Sequence, residues 1–134
     1  MNNELRIMDD KKKIHFFTDL DSWQEAHKLV ITVYKITKNF PREELYGLTN
    51  QMRRAVISAT SNIAEGFSRQ SYAEKVQFYS IAQGSNTELQ NQILASKDLD
   101  YINQETFDIL FRQSIITHKL LNGLIKKSKS IHNS

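Results

Sequence analysis

Apolar residues recur at steps of three and four along four stretches of the chain, and each stretch is bounded by residues that start or stop helices. The first predicted helix begins near Ser22, where Ser22 and Glu25 have capping-box spacing. It runs to about Asn39, with Trp23, Ala26, Val30, Tyr34 and Thr37 as its stripe. Phe40-Pro41 closes it, because the residue before a proline is pushed out of the α region. The second runs from about Glu43 or Glu44 to Glu65, with Leu45, Leu48, Met52, Val56, Ala59 and Ile63 on one face and Gly66 as its C-terminal stop. Ser71 and Glu74 form another capping box, opening a third helix with Phe78, Ala82, Ser85, Leu89, Gln92 and Ser96 on one stripe and a stop within 98–102. The fourth starts after Asn103 and carries Phe107, Leu110, Phe111, Ser114, His118, Leu121 and Ile125 before fading into Lys126, Lys127 and Lys129. Four long helices with short connections predict an all-α, antiparallel up-down-up-down four-helix bundle over 19–128. Residues 1–18 lack sustained periodicity and read as an N-terminal tail, with Ile14, Phe16 and Phe17 docking on the domain; 129–134 read as a frayed C-terminal tail.

Some helices carry a second face. On the second helix Arg54, Ser58, Ser61, Glu65 and Arg69 lie nearly opposite Met52, Val56, Ala59 and Ile63. Small residues at Ala55, Ser58, Ala59, Ser61 and Ala64, and at Gly84 and Ser85 on the third helix, let another helix backbone come close. The reading is a polar network of Asn62, Glu65, Ser85 and Glu88, bonded within or between chains. Ile109, Ile116 and Leu120 lie away from the fourth helix's main stripe, and Leu29 and Ile36 form a comparable pair on the first. In a four-helix monomer no helix is central, so these five residues predict an oligomer interface.

Composition narrows the class. The chain has 134 residues, one proline, four glycines and no cysteine, which suits one helical domain and excludes a disulfide scaffold, an iron–sulfur cluster and a thiol nucleophile. No apolar run is long enough to span a membrane and no signal-peptide pattern follows the charged N-terminus, so a cytoplasmic protein is expected. The net charge of +3 is mild, but it is uneven. Five basic residues stand against two acidic ones in 103–134, whereas two stand against four in 71–102.

Several blocks together resemble a known family. Asp21-Ser22-Trp23-Gln24-Glu25-Ala26-His27-Lys28-Leu29-Val30, Phe40-Pro41, Leu48-Thr49-Asn50-Gln51-Met52-Arg53-Arg54-Ala55, Ser61-Asn62-Ile63-Ala64-Glu65-Gly66-Phe67 and Gly84-Ser85-Asn86-Thr87-Glu88-Leu89 stand in the order and spacing of the bacterial four-helix-bundle proteins encoded in 23S rRNA intervening sequences. The resemblance covers about residues 19–120. It implies a left-handed antiparallel bundle assembling as a ring-shaped homopentamer, no established catalytic activity, and a role in binding nucleic acid. The chain also resembles the accessory variability determinant proteins of diversity-generating retroelements, pentameric bundles that bind reverse transcriptase and nucleic acid. It departs from the family where an Ile-Pro pair often precedes the Asn62 block: here Ala59-Thr60 stands there, which removes the kink a proline would give.

Catalytic patterns are missing. A di-metal bundle needs a Glu with a His three residues later on two helices, and neither His27 nor His118 has one. There is no phosphate loop, nucleophile elbow or paired-histidine zinc motif, so a non-enzyme without metal or cofactor is expected. An enzyme reading would need Glu65 and Glu88 beside His27 or His118. The nucleic-acid candidates are Arg53, Arg54, Arg69, Lys119, Lys126, Lys127 and Lys129, and a ring would repeat their charge around its axis. Two function classes follow: an oligomeric RNA- or DNA-binding accessory module, and a scaffold whose partner protein docks on the ring.

Overall fold

The computed structural model describes residues 13–133, which form four α-helices and no strand. These are α1 (Asp21–Thr37), α2 (Leu48–Ser68), α3 (Tyr72–Asp98) and α4 (Gln104–His132). Short 3-10 turns at Phe17–Asp19 and Arg42–Glu44 precede α1 and α2. Each helix packs on its neighbours in sequence, and α4 returns to pack on α1. Met52 meets Ser96 and Ser58 meets Ser85, so positions on α3 rise as those on α2 fall. Asn86 meets Ser114 and Gln83 meets Asn122, which sets the same opposed direction between α3 and α4.

Two of the helix starts are capped by their own side chains. Ser71 Oγ accepts from the Glu74 amide at 3.0 Å, and Asn103 Oδ1 accepts from the Thr106 amide at 2.8 Å. The Ser22–Glu25 box does not form. Ser22 lies buried inside α1 with its hydroxyl unpartnered, and the buried Glu25 carboxylate accepts instead from Gln113 of α4 and pairs with Lys28 at 3.2 Å. A tertiary partner has displaced the local one. The start of α2 also moves, to Leu48, because the Glu44 carboxylate accepts from the Leu48 amide at 3.1 Å. Its other oxygen accepts from the Tyr101 hydroxyl at 2.8 Å, tying the α1–α2 connection to the turn after α3. That turn has Tyr101 N bonded to Ser96 O and Asp100 N to Lys97 O, with Asp100 in the left-handed region at φ 62°.

Gly66 does not stop α2; it sits in the last turn against α3. A Cβ there would lie 2.6 and 2.8 Å from atoms of the Tyr79 ring. Beyond it the carbonyls of Gly66 and Phe67 accept from the Lys75 ammonium at 3.3 and 2.7 Å, so a lysine of α3 closes α2. The helix itself is unbroken through Ala59-Thr60. α4 likewise continues to His132 instead of fraying at 129. Of the N-terminal stretch, Phe17 packs its ring on Trp23 at 5.6 Å, whereas Phe16 stays mostly exposed. Residues 1–12 of the expected tail lie outside the described residues.

The core has a larger cluster that includes Leu29, Val33, Met52, Val56, Leu89, Ile93 and Leu110, and a smaller one of Ala26, Ile63, Ala82 and Leu121. Leu29 is 2% exposed and therefore core, not interface, and Ile36 is half-buried against the same cluster. The apolar run 29–31 fits two phases of a helix. Packing buries Leu29 and Val33 beside Ala26, Val30 and Thr37 of the expected stripe, so the inward face is wider than that stripe, and it leaves Ile31 and Tyr34 outside.

Substitution of Gly66 by alanine is expected to lower stability by about 1–3 kcal/mol, because the buried Tyr79 ring has to move. At Gly84 a Cβ meets nothing within 4 Å, so Gly84→Ala is expected to raise stability by up to about 1 kcal/mol. Urea unfolding of the two variants beside the parent chain checks both signs.

Candidate nucleic-acid interface

The basic residues sort into fixed and free. Arg53 donates Nε–H to the Thr37 hydroxyl at 2.9 Å and lies over the Tyr34 ring at 4.8 Å, so it clamps α2 to α1. Arg69 bonds Glu65 at 3.2 Å, lies 4.0 Å from Glu74 and stacks on Phe78 at 4.7 Å. Both guanidinium groups are held by the fold. Lys75 is held as the α2 cap, and burial pushes its ammonium below the usual lysine range. Arg54 is exposed and makes no hydrogen bond or ion pair among the described residues.

Lys119, Lys126, Lys127 and Lys129 are all exposed on α4, and none is paired with a carboxylate among the described residues. Their helix stretch is anchored from below by Leu121 and by half-buried Leu124 and Ile125; Ser128 is buried too, its hydroxyl donating within α4 to the Leu124 carbonyl at 2.8 Å. Gln113 sits opposite Glu25, only one turn from the start of α1, while α4 runs on to His132. The last turns of α4 thus have no α1 alongside. At about 1.5 Å per residue, the four lysines cover about 15 Å of helix, and at about 100° per residue they fan over about 160° of its circumference, with Lys127 and Lys129 at the two edges.

The expected polar network forms in part. Ser58 Oγ and Ser85 Oγ are 2.8 Å apart, and the Asn62 amide donates to Ser58 Oγ and to the Ser58 carbonyl. Glu65 turns outward to Arg69 instead, and Glu88 is exposed without a partner. Above the serine pair, α2 and α3 enclose a groove of about 500 Å³, whose walls include Arg54, Glu88 and Gln92. Tyr46 stands at its edge, 90% exposed. Sequence periodicity missed Tyr46 and Gln92 as groove residues: the first lies in a connection, and the second reads as core.

A different groove, of about 360 Å³, lies between α1 and α4 and is lined by His27, Ile31, Ile109 and Gln113. Ile109 is 56% exposed and Ile116 39%, while Leu120 is half-buried. His27 stacks on Trp23 at 4.6 Å, and the Nδ1 of half-buried His118 has no partner. Glu88 and His27 line separate grooves, so His27 does not join Glu88 in one site. Among the described residues no three His, Asp or Glu side chains gather as a metal would require. Two tyrosines have raised pKa values: Tyr79 to about 12, chiefly through burial, and Tyr101 because its hydroxyl is bonded to Glu44.

The fold and these surfaces define a four-helix protein with a cationic helix end, a polar groove and an apolar groove. No described helix is long and apolar enough to cross a membrane. The chain belongs to the family of 23S rRNA-intervening sequence proteins, which it matches over residues 18–123. It is also similar to a crystal structure from Bacteroides thetaiotaomicron VPI-5482, a protein with unknown function from the S23 ribosomal protein family. The TM-score is 0.73 at 22% identity, over 78% of this chain and 95% of that one, which is a likeness of fold. No curated protein matches the chain.

Replacing Arg53 by alanine is expected to cost about 1–2 kcal/mol, since it removes a charged hydrogen bond and a cation–π contact. Arg54→Ala is expected to stay within about 0.5 kcal/mol of the parent. Thermal unfolding of both variants separates the fixed arginine from the free one.

Proposed function

We propose that this protein is a non-enzymatic, self-assembling accessory module of the cytoplasm that binds the phosphate backbone of RNA or DNA. The observation that carries the reading is the set of four exposed, unpaired lysines fanned over the outer side of the C-terminal half of α4, three of them on the turns past α1. Phosphate binding of this kind is sequence-independent and is driven by release of condensed counterions. A rigid helix suits it, because the lysine positions are already ordered and only their side chains lose freedom. The name of the family, 23S rRNA-intervening sequence protein, agrees with a setting in which RNA is present.

Assembly supplies the rest of the reading. Ile31 on α1 and Ile109 and Ile116 on α4 expose apolar surface beside one groove, and a second copy would remove that surface from water. In this reading the bundle is the left-handed up-down-up-down form, and repeated contacts through α1 and α4 close a ring of five, the number carried by the resemblance. A closed ring repeats these lysines with its symmetry, which raises the local positive potential without new contacts. Docking of another protein on the same apolar face is the second reading. It keeps the exposed isoleucines but needs neither self-assembly nor nucleic acid.

Two measurements separate the readings. Binding of a fluorescent single-stranded RNA is expected to weaken with salt. Changing Lys126, Lys127 and Lys129 to glutamine should reduce the log–log salt slope by about 2 per chain engaged. Absent binding, or binding unaffected by salt, would sink the nucleic-acid reading. Light scattering is expected to give a mass near five times the 15.6 kDa chain. The double change Ile109→Asp and Ile116→Asp should bring it down to a single chain. A parent protein that is already monomeric leaves the docking reading in its place.

A further inference from the structure

The α2–α3 groove has no role in phosphate binding by α4, yet it is the most polar concavity described. Its volume of about 500 Å³ is ample for one nucleotide-sized ligand. Four features on its walls are chemically distinct and unused. Arg54 presents a planar guanidinium with no carboxylate partner, and Glu88 presents a carboxylate with no cation partner. Gln92 is 8% exposed, and its side-chain oxygen has no hydrogen-bond partner. Tyr46 at the edge leaves 90% of its surface open to a flat ligand.

Hydrogen-bond inventories select the ligand. A carboxylate offers two adjacent acceptors, and a guanidinium offers two parallel donors. Among the nucleobases, guanine answers both: its N1–H and N2–H₂ present two adjacent donors on one edge, and its O6 and N7 present two adjacent acceptors on another. Adenine mixes a donor with an acceptor on each edge, so it pairs properly with neither group. Cytosine offers the carboxylate a single amino group, and uracil a single ring N–H flanked by acceptors that repel it. An exposed tyrosine adds stacking, which every base accepts. We propose that the α2–α3 groove is a guanine-binding site, with Glu88 and Arg54 selecting the base, Tyr46 stacking on it, and the free amide of Gln92 available to the sugar or ring. The inference stands apart from the α4 lysines, because the groove would hold a free guanosine phosphate as well as a guanine in a single strand.

The test uses the full chain and two kinds of probe. Calorimetric titration with 5′-GMP, AMP, CMP and UMP is expected to show GMP preferred by about tenfold or more. The second arm compares an oligouridylate carrying one central guanine with plain oligouridylate. A preference for guanine in both arms, or in the oligonucleotide arm alone, supports the proposal, and the latter identifies a nucleic-acid strand as the source. Glu88→Gln should abolish the preference in either arm. Glu88 is exposed and unpartnered, so circular dichroism should show the same helix content. Tyr46→Leu should weaken all bases alike and leave their order unchanged. Equal affinity for all four bases, or a guanine preference that survives Glu88→Gln, overturns the proposal. So does a change of assembly mass in Glu88→Gln by light scattering, because the groove is then an interface between copies. Loss of RNA affinity in the lysine variant with GMP binding intact would show the two surfaces to be independent.

Discussion

The near contact of α2 and α3 is the constraint on which the rest of the structure hangs. Gly66 lets the Tyr79 ring close over the last turn of α2, and thirteen residues further along α3 from Tyr72 the Ser85 hydroxyl reaches that of Ser58. Such an approach needs small residues on both helices, since a side chain at either place would hold the backbones apart. Lys75 then closes the pair by donating to the final carbonyls of α2, a role in which its positive charge opposes the negative end of the helix dipole. With α2 and α3 fixed at this distance, Arg54 and Glu88 are left facing outward over a shared groove.

The α3–α4 contact is built differently. Asn86, Gln83 and Gln90 of α3 reach across to Ser114, His118 and Asn122 of α4, so much of this seam is made of amides and hydroxyls in place of apolar side chains. Amide pairs of this kind favour one register, because sliding a helix by a turn would leave buried donors and acceptors unmet. The register matters for the surface. It fixes how far α4 runs beyond α1, and therefore which of its lysines have no α1 beside them.

Charge and apolar surface are distributed by the same packing. Arg53, Arg69 and Lys75 are spent on clamps and caps, Glu25 on a tertiary bond in place of a helix cap, and Glu44 on both the start of α2 and the Tyr101 hydroxyl. What remains free is spatially separated: lysines along the end of α4, a mixed polar groove between α2 and α3, and isoleucines beside the groove between α1 and α4.

The sequence by itself determined the number of helices, their approximate limits and most of the inward stripe. Periodicity at 3.6 residues is a local property, and the caps at Ser71 and Asn103 act within one turn. The blocks from Asp21 to Leu89 also carried the family. Tertiary structure alone decided the width of the inward face of α1, because Leu29, Val30 and Ile31 are equally apolar and only contact with α2 and α4 could bury the first two and leave Ile31 outside. It also decided that Glu25 would serve Gln113 instead of a cap, and that Gly66 would admit a ring instead of ending a helix. The fate of each charge followed the same rule. Neighbouring Arg53 and Arg54 are alike in sequence, and a hydroxyl sixteen residues away on another helix is what binds one and leaves the other free.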